Sequence, residues 1–223
     1  MLQGQNVEQT RAFPWPSKGL EGYWPMTKIN VSFRRATSDD TAALAELVQF
    51  ATEGLALALW TQLAGAGGDP WEIGRKRVSG GAGAMSYRNA VIGESAGKPA
   101  CGLIGYPLGD EPDHTADTLP AVLVPLHELM NMAPNTWYVH ALAAYPEHRG
   151  RGLGTALLAQ ADRLAAGAGR HALSLVVSDT NTGARRLYER TGYREAARRK
   201  VVKQGWQHPG TDWVLMTKPA AGT

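Results

Sequence analysis

Between Tyr145 and Leu158 the chain reads YPEHRGRGLGTALL, with glycines at 150, 152 and 154 and arginines at 149 and 151. Glycine lets a backbone take positive φ and come close to a ligand. Successive N–H groups in such a turn, at a helix N-terminus, hold anions and phosphate in particular. Arginines among them add charge-assisted bonds. The chemistry implied is a phosphate or pyrophosphate cradle, and the competing reading is a strand-to-helix turn whose glycines serve only the fold. A Walker A loop needs GxxxxGK[ST], which is absent. A dinucleotide fold needs GxGxxG near the first strand and an acidic residue about 20 positions on. Here the spacing is GxGxG and, although Asp179 follows the next strand, too little chain remains to complete a doubly wound sheet.

Other reactive side chains form no comparable pattern. His127-Glu128 lacks the second histidine of HExxH, and the six histidines show no ligand spacing, so no metal site is expected. The single cysteine, Cys101, lies in the apolar stretch PACGLIGY and reads as core rather than nucleophile. One cysteine excludes an internal disulfide framework. The formal charge of +3 is too small to argue for nucleic acid. No run of about 18 apolar residues predicts a membrane span, and the polar first residues lack the apolar core of a signal peptide. These features predict a cytoplasmic protein, which makes the sequon at Asn30 a chance match.

The elements that must position the glycine turn follow from periodicity. Residues 1–28 read as an N-terminal extension, and 29–219 as one domain with an insertion at about 108–134. INVSFRRAT alternates and predicts a first strand. Helical spacing follows from Leu44, with Ser38 as N-cap and a break at Gly54. DPWEIGRKRVS predicts a shorter helix. Residues 87–109 predict two strands joined by SAGK. AVLVPLHELM predicts a helix inside the insertion, and TWYVHALAAY a buried strand leading into the glycine turn. Then come a helix from Leu153, a strand HALSLVVS, a helix NTGARRLYERTG ending at Gly192, and two closing strands.

Two stretches together carry a family resemblance. Arg149-Gly150-Arg151-Gly152-Leu153-Gly154 matches R-x-x-G-x-G, the acetyl-CoA pyrophosphate loop of the GCN5-related N-acetyltransferases (GNAT). Downstream, Asn181, Ala184, Leu187, Tyr188, Gly192 and Tyr193 match N-x-x-A-x-x-L-Y-x-x-x-G-F/Y, the second motif of that family. The resemblance is specific over about residues 137–195. It implies an α/β (α+β) fold: a mixed, mostly antiparallel sheet flanked by helices and splayed between the strands at 137–144 and 171–177. A β-bulge in the first of these opens the gap in the family. Acetyl-CoA is the implied co-substrate. Its pantetheine arm would pair with Leu142, Ala143 and Ala144, and its pyrophosphate would rest on residues 150–155, including Leu153 and Thr155. Asn181 would cap its helix or contact the cofactor. Arg185 and Arg186 would reach the CoA 3′-phosphate or lie on a solvated helix face.

The reaction implied is direct acetyl transfer to a primary amine of a small molecule or peptide. Transfer of another acyl group, or CoA sensing without turnover, is the alternative. Acetyl transfer needs a base for the amine, a donor for the oxyanion and a proton for the thiolate. Tyr188 holds the position of the family's acid, and a phenol of ordinary pKa about 10 is protonated at pH 7. The strand at 137–144 contains no carboxylate, which leaves His140 as its candidate base, with a hydrogen-bonded core histidine as the competing role. Trp60 and Trp71 are candidate walls of an acceptor pocket, or core. Asp162 and Asp179 receive no role. Neither nucleic acid nor membrane is an expected partner, and homodimerisation is left open.

Overall fold

In the computed structural model, residues 30–81, 83–113 and 118–220 are described. The N-terminal extension expected at 1–28 lies outside the described residues. Strand β1 (Ser32–Arg35) leads into α1 (Thr41–Ala51) through a single 3-10 turn. Thr37, not Ser38, caps that turn: its N–H donates to Asp40 Oδ2 over 2.7 Å. Arg34 clamps the same carboxylate at 2.7 and 2.8 Å and reaches Glu94 of the neighbouring strand. Glu53 (φ 52°) and Gly54 (φ 95°) then turn the chain by 120° into α2 (Leu55–Ala64). Helix α3 (Pro70–Ser79) starts with Pro70 in its first turn and the Asp69 carboxylate accepting from Trp71 N–H.

Strands β2 (Ala90–Ser95) and β3 (Lys98–Pro107) form a hairpin. Its two-residue turn, Ala96-Gly97, takes positive φ at both positions, which matches the twist of the strands. Helix α4 (Val124–Asn131) lies inside the expected insertion. The remaining elements are β4 (Trp137–Ala144), α5 (Leu153–Gly167), β5 (Ala172–Ser178), α6 (Thr182–Arg190), β6 (Arg194–Lys200) and β7 (Asp212–Pro219).

The seven strands form one sheet in the order β1-β2-β3-β4-β5-β7-β6. All neighbours are antiparallel except β4 and β5. The fold is therefore the expected mixed, mostly antiparallel sheet flanked by helices. One face packs on α5, through Leu157, Ala161 and Leu164 against Leu103, Leu173 and Met216. The other face is covered in two patches. Helices α1 to α3 cover the β2–β4 half, around Leu44, Val48, Trp60 and Val78. Leu55, Leu129 and Trp206 cover the β7 side, against Trp213 and Leu215. Trp60 is 2% exposed and belongs to the core, and the partly buried Trp71 packs on it edge-on at 5.9 Å. Cys101 is buried, and burial pushes its thiol up to about 12, as an inert core residue requires.

Candidate active site

The candidate site lies at the junction of β4 and β5, the one parallel pair among the described strands. Strands β4 and β5 pair at Trp137↔Leu173, Tyr138↔Ser174 and Val139↔Leu175, and then the pairing stops. Beyond Val139 the two strands diverge. The cause sits in β4: Gly105 faces Val139 while Ile104 already faces Ala141, so His140 is the extra residue of a β-bulge. Tyr145 N–H donates to Ala100 O on the β3 side. Alternation along an antiparallel ladder then turns Ala143 toward β3 and turns Leu142 and Ala144 toward the gap. Leu142 and Ala144 thus offer backbone groups to the gap, whereas those of Ala143 belong to the ladder. Part of that edge is engaged already, because Arg149 Nε donates to Ala144 O over 3.1 Å.

The gap opens onto the glycine turn. Gly150 (φ 71°) and Gly152 (φ 87°) hold backbone conformations that L side chains rarely adopt. Gly152 is the N-cap of α5, and no side chain caps that helix. The amides of its first turn therefore lack an intrahelical partner, at the positive end of the helix dipole. The third glycine has a different task. A Cβ on Gly154 would lie 2.6 Å from Leu187 Cδ2, so Gly154 lets α5 approach α6. Leu153 is buried in the core, while Arg151 and Thr155 are exposed beside the turn. Arg149 also lies over the Phe50 ring at 5.5 Å, which ties the turn to α1.

Tyr188 comes from α6. It is 8% exposed, and its ring meets Tyr193 at 5.8 Å. Burial pushes its phenol up to about 12, and the negative charge of Glu53 adds to the shift. Around His140 stand two more phenols: Tyr106, whose hydroxyl is 3.5 Å from Nδ1, and Tyr138, with ring centroids 6.0 Å apart. Burial holds both phenols protonated and lowers His140 to about 4. The imidazole is therefore neutral at physiological pH, and it is a weak base.

A carboxylate that sequence spacing did not reveal completes the group. Glu53 Oε1 accepts from Asn181 Nδ2 over 2.7 Å, and Oε2 lies 3.0 Å from His208 Nε2. Asn181 Oδ1 at the same time accepts from Ala184 N–H, so both ends of its amide are engaged within the protein. His208 is stacked on Trp206 at 4.3 Å, and its side chain is 2% exposed. Glu53, Asn181 and His208 lie on three segments widely separated in the chain, and no local motif joins them. The available signal was indirect: Glu53 precedes the helix-breaking Gly54.

Several other candidates are engaged elsewhere. Arg185 pairs with Glu195 at 3.1 Å, while Arg186 is exposed on the helix face. Asp179 accepts from Thr211, and Asp162 pairs with Lys218 at 2.8 Å. Between α2, Val122 and the segment 204–206 lies a cleft of about 310 Å³, walled by Leu55, Leu59 and Trp206.

A mixed sheet splayed at its one parallel junction, above an uncapped helix N-terminus, defines an acetyltransferase fold. The acetyltransferase (GNAT) family model matches residues 88–193, from the start of β2 through both motifs. An acetyltransferase of known structure superposes with a TM-score of 0.58 at 21% identity, covering 84% of this chain and 98% of that one. A GNAT family acetyltransferase from Elizabethkingia anophelis with acetyl-CoA bound gives 0.54 at 15% identity, over 86% and 99%. The ribosomal-protein-S18-alanine N-acetyltransferase from Escherichia coli gives 0.54 at 19%, over 86% and 96%. An uncharacterized N-acetyltransferase of Methanocaldococcus jannaschii is 40% identical over 68 residues, 30% of this chain and 28% of that protein. Residues 88–193 thus carry a GNAT acetyltransferase domain match.

Proposed function

We propose that this protein moves an acetyl group from acetyl-CoA directly to a primary amine of a small molecule or peptide. The observation that carries the reading is the end of β4–β5 pairing at Val139 and Leu175, beside the uncapped start of α5. The gap gives an extended arm a strand edge to pair with, at Leu142 and Ala144. The turn gives a pyrophosphate free amides over residues 150–155, with Arg149 and Arg151 nearby. The acetyl-CoA-bound relative from Elizabethkingia anophelis supports the choice of co-substrate.

In this reading the amine attacks the thioester carbon, and a β4 backbone N–H bonds the developing oxyanion. The carbon–sulfur bond then breaks, and Tyr188 donates a proton or hydrogen bond to the leaving thiolate. A phenol raised to about 12 stays protonated at pH 7, so its O–H is available to the sulfur. Neutral His140 stands on the strand edge as a hydrogen-bond acceptor. Release of free thiol from acetyl-CoA, followed over a panel of amines with mass detection of the amide, tests the proposal. Thiol release that depends on an amine supports it. Release only with a longer acyl-CoA would assign a different donor, and tight CoA binding with no release would assign a sensor.

A further inference from the structure

Resting on this acetyl-transfer reading, we infer that Glu53 takes the proton of the acceptor amine, and that His208 is the positioning residue that aims it. Three independent observations converge on Glu53. First, it holds φ 52° without being glycine or asparagine. Such a conformation is strained for a side chain of this kind, and persists where surrounding structure imposes it. Among the described residues the other non-glycine residues at positive φ are Ala96, in the hairpin turn, and Asn135.

Second, its carboxylate is held from both sides. Asn181 Nδ2 donates to Oε1 and His208 faces Oε2. Gly210 N–H donates to His208 Nδ1 over 3.0 Å. That bond requires a lone pair on Nδ1, so the ring proton sits on Nε2 and points at Glu53. The imidazole itself is fixed by stacking against Trp206 and Trp213. The site of Gly210 is equally confined, since a Cβ there would lie 2.6 Å from His208 Cε1. Yet the Glu53 side chain remains 28% exposed, so it is aimed without being sealed.

Third, Glu53 stands beside the start of the helix that carries Tyr188. Asn181, which it accepts from, caps the helix that carries Tyr188, and the charge of Glu53 is felt at that phenol. The bend at 52–54 also lies where the two helical patches meet: Ala51 packs with one and Leu55 with the other. That junction faces the splayed half of the sheet.

A carboxylate adds what neutral His140 lacks, a negative charge. It attracts the acceptor as an ammonium ion, takes one proton from it and passes that proton to solvent, which frees the nitrogen lone pair for attack. The nitrogen forms its bond to the thioester carbon and becomes acidic as it acquires positive charge. Its proton passes to a Glu53 oxygen, the carbon–sulfur bond breaks, and Tyr188 protonates the sulfur. Glu53 then releases its proton and Tyr188 regains one through solvent. The products are amide and free CoA thiol, with one net proton released when the amine arrives as ammonium.

Thiol release is measured for wild type, Glu53→Gln, His208→Phe and His208→Gln with ethylamine and 2,2,2-trifluoroethylamine. The two amines differ far more in basicity than in size, and the fluorinated one is largely unprotonated at neutral pH. Glu53→Gln is expected to lose roughly 10²-fold or more in kcat/KM with ethylamine, and less than about tenfold with trifluoroethylamine. Acetyl-CoA affinity by calorimetry should remain that of wild type. His208→Phe should show the same selectivity at smaller amplitude, and His208→Gln, which restores an N–H donor, should recover part of it. Equal losses for the two amines, or losses that track acetyl-CoA affinity or melting temperature, would reduce Glu53 to a structural clamp and overturn the inference. Acetyl-CoA binding without wild-type turnover of either amine would also overturn it. Failure to bind acetyl-CoA would instead remove the acetyl-transfer reading beneath it.

Discussion

His208 Nε2 lies 3.0 Å from Glu53 Oε2, joining the β6–β7 loop to the bend between α1 and α2. The contact depends on a third residue. Gly210 donates to the other ring nitrogen, and a Cβ at 210 would lie 2.5 Å from Ser178 Oγ and 2.6 Å from His208 Cε1. Gly210→Ala should displace the imidazole and destabilise the protein by about 1–3 kcal/mol, as overpacking does. Denaturant unfolding measures this, and wild-type stability would show that the loop absorbs the methyl group.

Gly152→Asp tests the anion site. Aspartate tolerates positive φ better than most side chains, so the fold should survive. Its charge, placed at the uncapped start of α5, should repel phosphate and weaken acetyl-CoA binding roughly tenfold or more, the factor that about 1.4 kcal/mol gives. Unchanged affinity by calorimetry would move the pyrophosphate elsewhere.

His140 should leave a mark on acid stability. Burial lowers its pKa from 6.5 to about 4. The unfolded ring therefore takes up a proton near pH 6.5, while the folded one does not until about pH 4. Its contribution is complete above pH 6.5 and is lost as pH falls toward 4. Asp40 and Asp179, held below the ordinary carboxylate value, act at more acid pH. His140→Phe should flatten the decline between pH 6.5 and 4 in thermal unfolding. A parallel decline in the variant would remove His140 as its source.

Much of this was legible in the sequence because it is local. The R-x-x-G-x-G turn, the strand before it and the helix after it announce themselves by spacing, and the Asn181-to-Tyr193 stretch does the same. Spacing alone presents the three glycines as one device, but they serve two: Gly150 and Gly152 set backbone angles, and Gly154 sets helix packing. The bulge at His140 was implied by the family resemblance, but its position depends on the register with β3. Trp60 and Trp71 were ambiguous because an aromatic in an amphipathic helix reads alike as pocket wall or core. Glu53, Asn181 and His208 come together only through the tertiary fold, so no periodicity could join them. Glu53 also carries a conformation that sequence patterns assign to its neighbour Gly54.

Removing only the Tyr188 hydroxyl separates chemistry from packing. Tyr188→Phe should fold, bind acetyl-CoA as wild type does, and lose roughly 10²–10⁴ in kcat. The loss belongs in kcat because the bond to sulfur strengthens as charge develops there. Tyr188→Ala should also weaken packing against Tyr193. Near-normal turnover in Tyr188→Phe, measured by steady-state kinetics, would leave the ring a packing role only.

The most direct test of acetyl transfer follows the acetyl group itself. Acetyl-CoA labelled in its acetyl carbon is mixed with an excess of protein and an amine accepted in the thiol-release panel, and both partners are weighed by mass spectrometry over a single turnover. Direct transfer predicts one labelled acetyl on the amine for each thiol released, with the protein mass unchanged throughout. Label held covalently on the protein, or thiol released with label appearing as free acetate, would contradict it.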